Sequence, residues 1–364
     1  MLLARLVASS IVLTAGLACA AAPRVTATPA DLADHADLRD RDRVSVLVFG
    51  DSGQHKTFPA LARAAAELCE RRQPKCDLAV LLGDNVYETG FTQPGGARWH
   101  RSFAGPMQPF VAAARERTFR VWVTAGNHDW NHSLLGGRRI TAAIATTRTA
   151  ANKRIGKLWQ YPALAYEVPG LPKWLHLHAI DTQVIVKEDD PGVLATTQAD
   201  MQRAGKDAWH VAFGHHAPVT TGSHGKYDPA DARTLAAALD LLRPAGLNFV
   251  LVGHDHHQEY LECAGIPVVI QGNSSKAREV HDTEYTDCSR ARRGGDALGF
   301  LIATFEPGKV TLEFFDERGA PAALQTPQGA PHPSGPLAIS RPDPTASRRT
   351  FGTCTRPAPP GEPN

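Results

Sequence analysis

The sequence lacks an excess of charge of either sign. Its 364 residues carry 39 Lys and Arg against 37 Asp and Glu, a formal net charge of +2. Binding to nucleic acid or to an anionic membrane surface depends on concentrated positive charge. The composition therefore gives no electrostatic reason to expect either partner, and any partner has to be inferred from a site.

Long apolar runs are also missing after the amino terminus, because no later segment approaches the roughly 20 apolar residues of a membrane span. The first residues, MLLARLVASSIVLTAGLACA, place one Arg before an apolar stretch that ends in small residues. This pattern is typical of a secretory signal peptide. We predict a signal peptide over residues 1–22, cleaved after Ala20 or Ala22, and a secreted or periplasmic mature protein outside the membrane. Lipid attachment at Cys19 is disfavoured, because Gly16 stands where a large aliphatic residue is usual.

Cysteine is scarce, and no two cysteines form a Cys-x-x-Cys pair, which disfavours a thiolate zinc site. After removal of the signal peptide the chain retains Cys69, Cys76, Cys263, Cys288 and Cys354. The first two flank a short loop that a disulfide can close. For Cys263 the sequence leaves two partners open, Cys288 and Cys354.

The chain does contain alternating strand-like and helical patterns between residues 44 and 316. Amphipathic, Ala-rich stretches predict helices at 57–72, 103–117, 195–206 and 231–242. The segments GFLIATFE and VTLEFFDE, separated by PGK, predict an antiparallel hairpin. We therefore expect one α/β domain over residues 44–316. Residues 321–364 are rich in Pro, Gly, Thr and Ser, and we predict a loosely ordered tail there.

Five of the strand-like runs end in side chains suited to metal binding. These side chains are Asp51 in GDSG, Asp84 and Tyr87 in GDNVY, Asn127 and His128 in GNHD, His215 in FGHH, and His254 and His256 in GHDHH. Strands that are adjacent in a sheet place their ends on one rim, so distant ligands can converge there. The pattern predicts a two-metal phosphoesterase.

The residue types suit different roles in such a site. The Asp84 carboxylate can bridge two cations about 3.5–4 Å apart, and the Asn127 amide oxygen is a neutral hard ligand. His254 and His256 are two residues apart, so in an extended segment both address one face. We predict that Asp129 fixes the tautomer of His128 by accepting a hydrogen bond.

Each motif also has a purely structural explanation, since Asp, Asn and His are common in turns. For the FGHH pair we favour His215 as the ligand, because it follows a glycine as His254 does, and we treat His216 as a bystander. His176, His178 and His210 lack a strand-end position. We expect those three to be ordinary surface or core imidazoles.

Taken together and in this order, GDSG, GDNVY, GNHD, FGHH and GHDH resemble the signature of the metallophosphoesterases, specifically the purple acid phosphatases of the small, tartrate-resistant type. The resemblance extends from about residue 44 to residue 273. It implies a four-layer α/β/β/α sandwich of two mixed sheets flanked by helices. It also implies a dinuclear metal site at the carboxyl ends of the strands.

The resemblance further implies which residues bind the metals and the substrate. Fe(III) would be bound by Asp51, Asp84, Tyr87 and His256, and a divalent Fe, Zn or Mn ion by Asp84, Asn127, His215 and His254. His128 would face the substrate. A second catalytic histidine nine residues after the FGHH ligand corresponds to His224.

One departure from the wider superfamily carries chemical information. Many metallophosphoesterases begin with Asp-x-His, whereas the third position here is Gly53. Tyr87 can replace the lost imidazole, and a phenolate favours a trivalent ion over a divalent one. The resemblance then implies a coloured, tyrosinate-bound Fe(III).

The expected function is hydrolysis of small phosphate monoesters by an acid phosphatase. The Fe(III)–M(II) centre would activate hydroxide for in-line attack on phosphorus, and His128 and His224 would neutralise charge or protonate the leaving group. A phosphodiesterase or nucleotidase on the same scaffold stays open, because the rim loops 88–100 and 131–158 set substrate choice. A non-catalytic metal-binding protein is disfavoured by the retention of both histidines. The sequence does not indicate an oligomeric state.

Overall fold

The computed structural model describes residues 22–227, 229–278, 288–293, 297–324, 335–342 and 350–353. Within these residues the chain forms two seven-stranded sheets and nine α-helices. In chain order the strands are β1 (Val44–Phe49), β2 (Leu78–Leu82), β3 (Val121–Thr124), β4 (Trp159–Gln160), β5 (Ala165–Glu167), β6 (Leu175–Ile180), β7 (Trp209–Phe213), β8 (Phe249–Val252), β9 (Gln258–Cys263), β10 (Ile266–Gln271), β11 (Cys288–Arg293), β12 (Gly299–Glu306), β13 (Lys309–Asp316) and β14 (Leu337–Ser340). The helices are α1 (Phe58–Arg71), α2 (Ala97–Trp99), α3 (Val111–Glu116), α4 (Gly137–Thr146), α5 (Ala150–Arg154), α6 (Thr182–Val186), α7 (Val193–Ala204), α8 (Ser223–Tyr227) and α9 (Pro229–Asp240).

The first sheet has the strand order β14-β13-β12-β1-β2-β3-β4. Strands β1 to β4 are parallel to one another, and β12 to β14 are antiparallel to their neighbours. Every residue of β1, β2 and β3 is buried, as is usual for parallel strands covered on both faces. Strands β12 and β13 form the hairpin that the sequence predicted.

The second sheet has the strand order β11-β9-β10-β8-β7-β6-β5. Strands β6, β7, β8 and β10 form its parallel centre. Strand β5 is antiparallel to β6, and β9 and β11 add an antiparallel edge at the other side. Each sheet is therefore mixed and contains a parallel core whose strands end at one rim.

The two sheets pack against each other through side chains of their inner faces. The Tyr166 hydroxyl in β5 donates to the Val123 carbonyl in β3 at 2.8 Å, and its ring lies 5.9 Å from that of Trp122. Similarly, the indole N–H of Trp209 in β7 donates to the Glu306 carbonyl in β12 at 2.8 Å. Helices α1 and α7 cover the sheets with their apolar faces. The predicted α/β fold of two mixed sheets flanked by helices is confirmed.

The helix predicted over residues 103–117 is not continuous. The stretch 103–117 consists of a π-helical turn at His100–Ala104, a 3₁₀ turn at Gln108–Phe110 and then α3. Pro106 and Pro109 explain the interruption, because proline has no backbone N–H to donate and its ring collides with the preceding turn. The other three predicted helices lie within two residues of α1, α7 and α9.

The described part of the predicted tail is more regular than its composition suggested. Strand β14 pairs with β13, and its residues alternate between half-buried and exposed. A 3₁₀ turn at Phe351–Thr353 follows, where the buried Phe351 donates its N–H to Asp240 Oδ1 at 2.8 Å. The apolar alternation in Leu-Ala-Ile-Ser is only four residues long, too short to stand out from the sequence.

Two disulfides join the cysteines of the described chain, Cys69 to Cys76 and Cys263 to Cys288. The first closes the short loop that the sequence indicated, and the second links the adjacent strands β9 and β11. Cys354 and residues 1–21 of the predicted signal peptide lie outside the described residues. Among the helices that the structure describes, none is long and apolar enough to cross a bilayer.

Candidate metal centre

The carboxyl ends of five strands, three from the first sheet and two from the second, meet at one rim. Asp51, Asp84 and Asn127 follow β1, β2 and β3, while His215 and His254 follow β7 and β8. Oxygen or nitrogen atoms of Asp51, Asp84 and His215 lie within 4.8 Å of one another. The convergence that the sequence predicted is therefore present in the fold.

Asp51, Tyr87 and His256 form one group of potential ligands. The Tyr87 hydroxyl lies 3.0 Å from Asp51 Oδ1 and 3.4 Å from His256 Nε2, and these last two atoms are 3.3 Å apart. Ligands of one ion at bond lengths of about 2.0–2.2 Å are separated by about 3 Å. The three atoms thus have the spacing of a shared coordination shell.

A second group forms around His215. Its Nδ1 donates to the Leu82 carbonyl at 2.8 Å, which leaves Nε2 without a proton in the neutral ring. Around Nε2 lie Asn127 Oδ1 at 2.9 Å, His254 Nδ1 at 3.0 Å and Asp84 Oδ1 at 3.5 Å. Neither the amide oxygen nor an ionised carboxylate can donate a hydrogen bond to this nitrogen.

These converging acceptors are suited to share a cation. Converging lone pairs repel one another in a buried site unless a cation or a proton is shared. Asp84 is near both groups, since Oδ1 lies close to His215 and the same carboxylate falls in the cluster with Asp51. The residues present therefore fit two cations with Asp84 between them.

Burial disfavours the negative charges of Tyr87 and Asp51 when no cation is bound. Burial, followed by the nearby carboxylates of Asp51 and Asp84, raises the pKa of Tyr87 well above its ordinary value. Burial likewise raises the pKa of Asp51, and Asp84 adds to that effect. A phenolate at position 87 thus needs a strong compensating positive charge.

Three of the potential ligands have an unusual backbone conformation. Asp51, Asp84 and His254 have φ values of 56°, 52° and 69°, in the left-handed region that favours glycine. Such conformations cost free energy and concentrate at functional sites. Each of the three residues directly follows a glycine at a strand end, where the chain turns sharply to present its side chain to the rim.

A family comparison agrees with this geometry. The model of the calcineurin-like phosphoesterases matches residues 44–258, which include all the residues of both groups. The chain belongs to the calcineurin-like phosphoesterases. In this phosphoesterase the matched region begins at β1 and ends at the start of β9.

This calcineurin-like phosphoesterase is also similar to purple acid phosphatases. It is 27% identical over 217 residues to the tartrate-resistant acid phosphatase type 5 of Rattus norvegicus, covering 54% of this chain and 60% of the rat protein. It is 22% identical over 301 residues to purple acid phosphatase 17 of Arabidopsis thaliana, covering 76% and 82%. The solved structure of the yellow lupin purple acid phosphatase PPD1 matches with a TM-score of 0.57 at 13% identity, over 82% of this chain and 54% of that chain.

Gly53 explains how the phosphoesterase accommodates Tyr87. A Cβ atom at position 53 would lie 2.7 Å from the Tyr87 amide nitrogen and 2.8 Å from the Asp84 carbonyl oxygen. The loop after β2 therefore fits against Gly53 only because that residue has no side chain. A histidine at position 53 would collide with the loop that carries Tyr87 in its present conformation.

A cavity of about 300 Å³ opens above the centre, and both predicted catalytic histidines line it. His128 Nδ1 donates to the Glu88 carbonyl at 2.6 Å, and its Nε2 lies 3.8 Å from Asp84 Oδ2. The ring of His224 lies 3.8 Å from that of His254, and His224 Nε2 lies 3.4 Å from Arg278 Nη1.

Asp129 has a different role from the predicted one. Its carboxylate accepts hydrogen bonds from the backbone amides of Gly126, Asn85 and Val86 at 3.0–3.2 Å, so it ties the loops after β2 and β3 together. The Glu88 carbonyl, not Asp129, fixes the tautomer of His128. The prediction was wrong because a backbone carbonyl from a distant loop leaves no trace in the GNHD motif.

Several residues in the cavity or beside Tyr87 were missed from the sequence. His216 lines the cavity, and its Nδ1 lies 2.8 Å from the Thr182 hydroxyl. That hydroxyl accepts hydrogen bonds from the amide N–H groups of His215 and His216, so it donates its own proton to His216 Nδ1. The ring proton of His216 is therefore on Nε2. The Lys276 ammonium lies 3.7 Å from the Tyr87 ring centroid. Lys276 and Arg278 follow β10 in a loop without a recognisable motif.

Proposed function

We propose that the protein is an acid phosphatase that hydrolyses phosphate monoesters at a dinuclear Fe(III)–M(II) centre, M being Fe, Zn or Mn. The observation that carries this proposal is the buried triangle of Asp51, Tyr87 and His256, with sides of 3.0–3.4 Å, beside the acceptors around His215. A phenol in this position distinguishes it from centres built only from carboxylates and imidazoles. Phenolate is a hard anionic ligand and favours a trivalent ion.

The ligand assignment follows the two groups. Asp51, Tyr87 and His256 would hold Fe(III), Asn127, His215 and His254 would hold the divalent ion, and Asp84 would bridge them. Cations held there supply the positive charge that activates water and binds the phosphoryl oxygens. The Lys276 ammonium over the Tyr87 ring adds positive charge beside the proposed phenolate.

The chain's own donors are placed to bind and protonate the substrate. With Nδ1 donating to Glu88, His128 can hold a proton on Nε2 and deliver it to the leaving alkoxide. His224 and Arg278 lie side by side in the lining of the cavity and can neutralise charge that develops on the phosphoryl oxygens. A monoester dianion carries more charge than a diester, so this lining favours the monoester.

The proposed location is secreted or periplasmic. The predicted signal peptide supports this location, and so do the two disulfides, because such bonds persist in oxidising compartments. A small phosphate ester is the proposed partner, without nucleic acid and without a membrane anchor in the mature protein.

Metal analysis combined with a visible spectrum tests the proposal. The purified wild type should contain iron and absorb visible light, and Tyr87→Phe should lose that absorption while its Asp51 and His256 remain. Activity on an aryl phosphate should exceed activity on the matching bis-aryl phosphate. Colourless, iron-free protein with full activity would refute the Fe(III) assignment, and a preference for the bis-ester would identify a phosphodiesterase instead.

A further inference from the structure

A second cluster of potential metal ligands lies away from the rim, on the outer face of the second sheet beneath α7. It contains Glu167 in β5, His178 in β6 and Asp200 in α7. One ligand atom from each of these residues lies within 4.8 Å of the other two. Glu167 and His178 are direct partners in the β5–β6 ladder, so the sheet itself brings them together.

Hydrogen bonds determine which nitrogen of His178 carries its proton. His210 Nε2 lies 2.6 Å from the Gly205 carbonyl, which can only accept, so this nitrogen is protonated. A neutral imidazole carries a proton on only one of its two nitrogens. His210 Nδ1 must therefore accept a hydrogen bond from His178 Nε2, which is 3.1 Å away.

This arrangement leaves Nδ1 of His178 as an unprotonated nitrogen. His178 is only 1% exposed, and its Nδ1 has no hydrogen-bond partner among the described residues. Buried polar atoms are rarely left without a partner. Here the neighbours of the ring are two carboxylates, which are acceptors as well, so the missing partner has to be positively charged or a donor.

Both carboxylates are oriented by a basic side chain on one of their oxygens. Glu167 Oε1 lies 2.7 Å from His176 Nδ1, and Asp200 Oδ1 pairs with the Arg203 guanidinium. Each carboxylate keeps a second oxygen for another partner. Metal-binding carboxylates and imidazoles usually have such outer hydrogen bonds, which fix the direction of the ligand atoms.

We propose that Glu167, His178 and Asp200 bind a divalent transition-metal ion, represented by Zn²⁺, that is separate from the catalytic pair. Two carboxylates and one imidazole suit Zn²⁺ better than Mg²⁺ or Ca²⁺, which prefer oxygen ligands only. The two ionised carboxylates balance the charge of the ion. The ion would fasten α7 to β5, a three-residue strand at the edge of the sheet.

Elemental analysis of the full-length protein tests this site. Wild type, His178→Gln and Asp200→Asn are equilibrated with Zn²⁺, desalted and analysed for total metal per chain. We expect each variant to hold one ion fewer than the wild type, with unchanged phosphatase activity, and the exposed control His100→Gln to match the wild type. Equilibration with Mg²⁺ should give no such difference.

The readout is the difference between wild type and variant, so it does not depend on what the catalytic centre contains. Equal metal contents in the wild type and Asp200→Asn would overturn the proposal and would indicate a proton shared between Asp200 and His178. The Asp200 side chain is 18% exposed and belongs to a helix rather than to the sheet, so Asp200→Asn keeps the test decisive if His178→Gln fails to fold.

Discussion

The two sheets contribute different chemistry to the rim. The proposed oxygen ligands follow strands of the first sheet, and the proposed imidazole ligands follow strands of the second. The oxygen side consists of Asp51, Asp84, Tyr87 and Asn127, and the nitrogen side of His215, His254 and His256. Each side is fixed partly by the other: the His254 amide donates to Asp51 Oδ2 at 2.8 Å, and His215 Nδ1 donates to the carbonyl of Leu82 in β2. The site is therefore complete only when the two sheets are docked.

The largest effect is expected from a change on the oxygen side. Asp84→Asn removes the carboxylate that lies near both groups, so we expect loss of both ions and a fall in turnover on the order of 10⁴-fold. His254→Gln, on the nitrogen side, should lose only the divalent ion and keep the visible absorption. Metal content and spectra of the two variants check the contrast. Retention of two ions by Asp84→Asn would contradict its bridging position.

The second-largest loss of turnover is expected for the two histidines that line the cavity, His128 and His224. His128→Ala should lower turnover on the order of 10²-fold with metal content intact, because it removes a proton donor rather than a ligand. If His128 is the acid, the loss should be smaller for an aryl phosphate than for an alkyl phosphate, whose leaving group needs the proton more. His224→Ala should affect both substrates alike. Loss of iron from His128→Ala would show that it is a ligand.

The same comparison explains what the sequence could predict. A buried strand that stops at Gly-Asp, Gly-Asn or Gly-His is visible in a single sequence, and parallel strands necessarily bring those stops to one rim. The α/β class was predictable from the alternation of strand-like and helical patterns, whereas the sandwich of two mixed sheets was implied only by the resemblance to the purple acid phosphatases. The role of Asp129, the tautomer of His128 and the positions of Lys276 over the Tyr87 ring and of Arg278 in the cavity lining were not predictable, because each depends on where a distant loop lies.

Histidines within strands show the same limit. His178 has no strand-end position, and in the sequence it is indistinguishable from a packed core residue. Its bare Nδ1 becomes apparent only through the hydrogen-bonded pair with His210 and the Gly205 carbonyl. The pairing of His178 with Glu167 across the strands and its proximity to α7 arise from tertiary structure, which no local sequence pattern encodes.

The smallest effect is expected at the amino-terminal end of the first sheet, far from the ligands. Arg120, next to the start of β3, has a side chain only 7% exposed, and it pairs with Asp34, which Lys157 also contacts. Burial tends to raise the pKa of Asp34, but the hydrogen bonds from Lys157 and Arg120 outweigh it and hold the pKa below its ordinary value. Ionised Asp34 is thus more stable in the folded protein than in the unfolded one.

Asp34→Asn should therefore lower the free energy of unfolding by about 1 kcal/mol at neutral pH. The expected loss is small because the Asp34 side chain is 29% exposed and solvent weakens its ion pairs. A lowered pKa stabilises the fold above the ordinary value, so the difference from wild type should shrink as the pH falls below about 4. Asp37→Asn, whose partner Arg39 is exposed, is the matched control and should cause no measurable change. Urea unfolding at several pH values checks this, and a pH-independent difference would mean that the lost packing, rather than the charge, determines the effect.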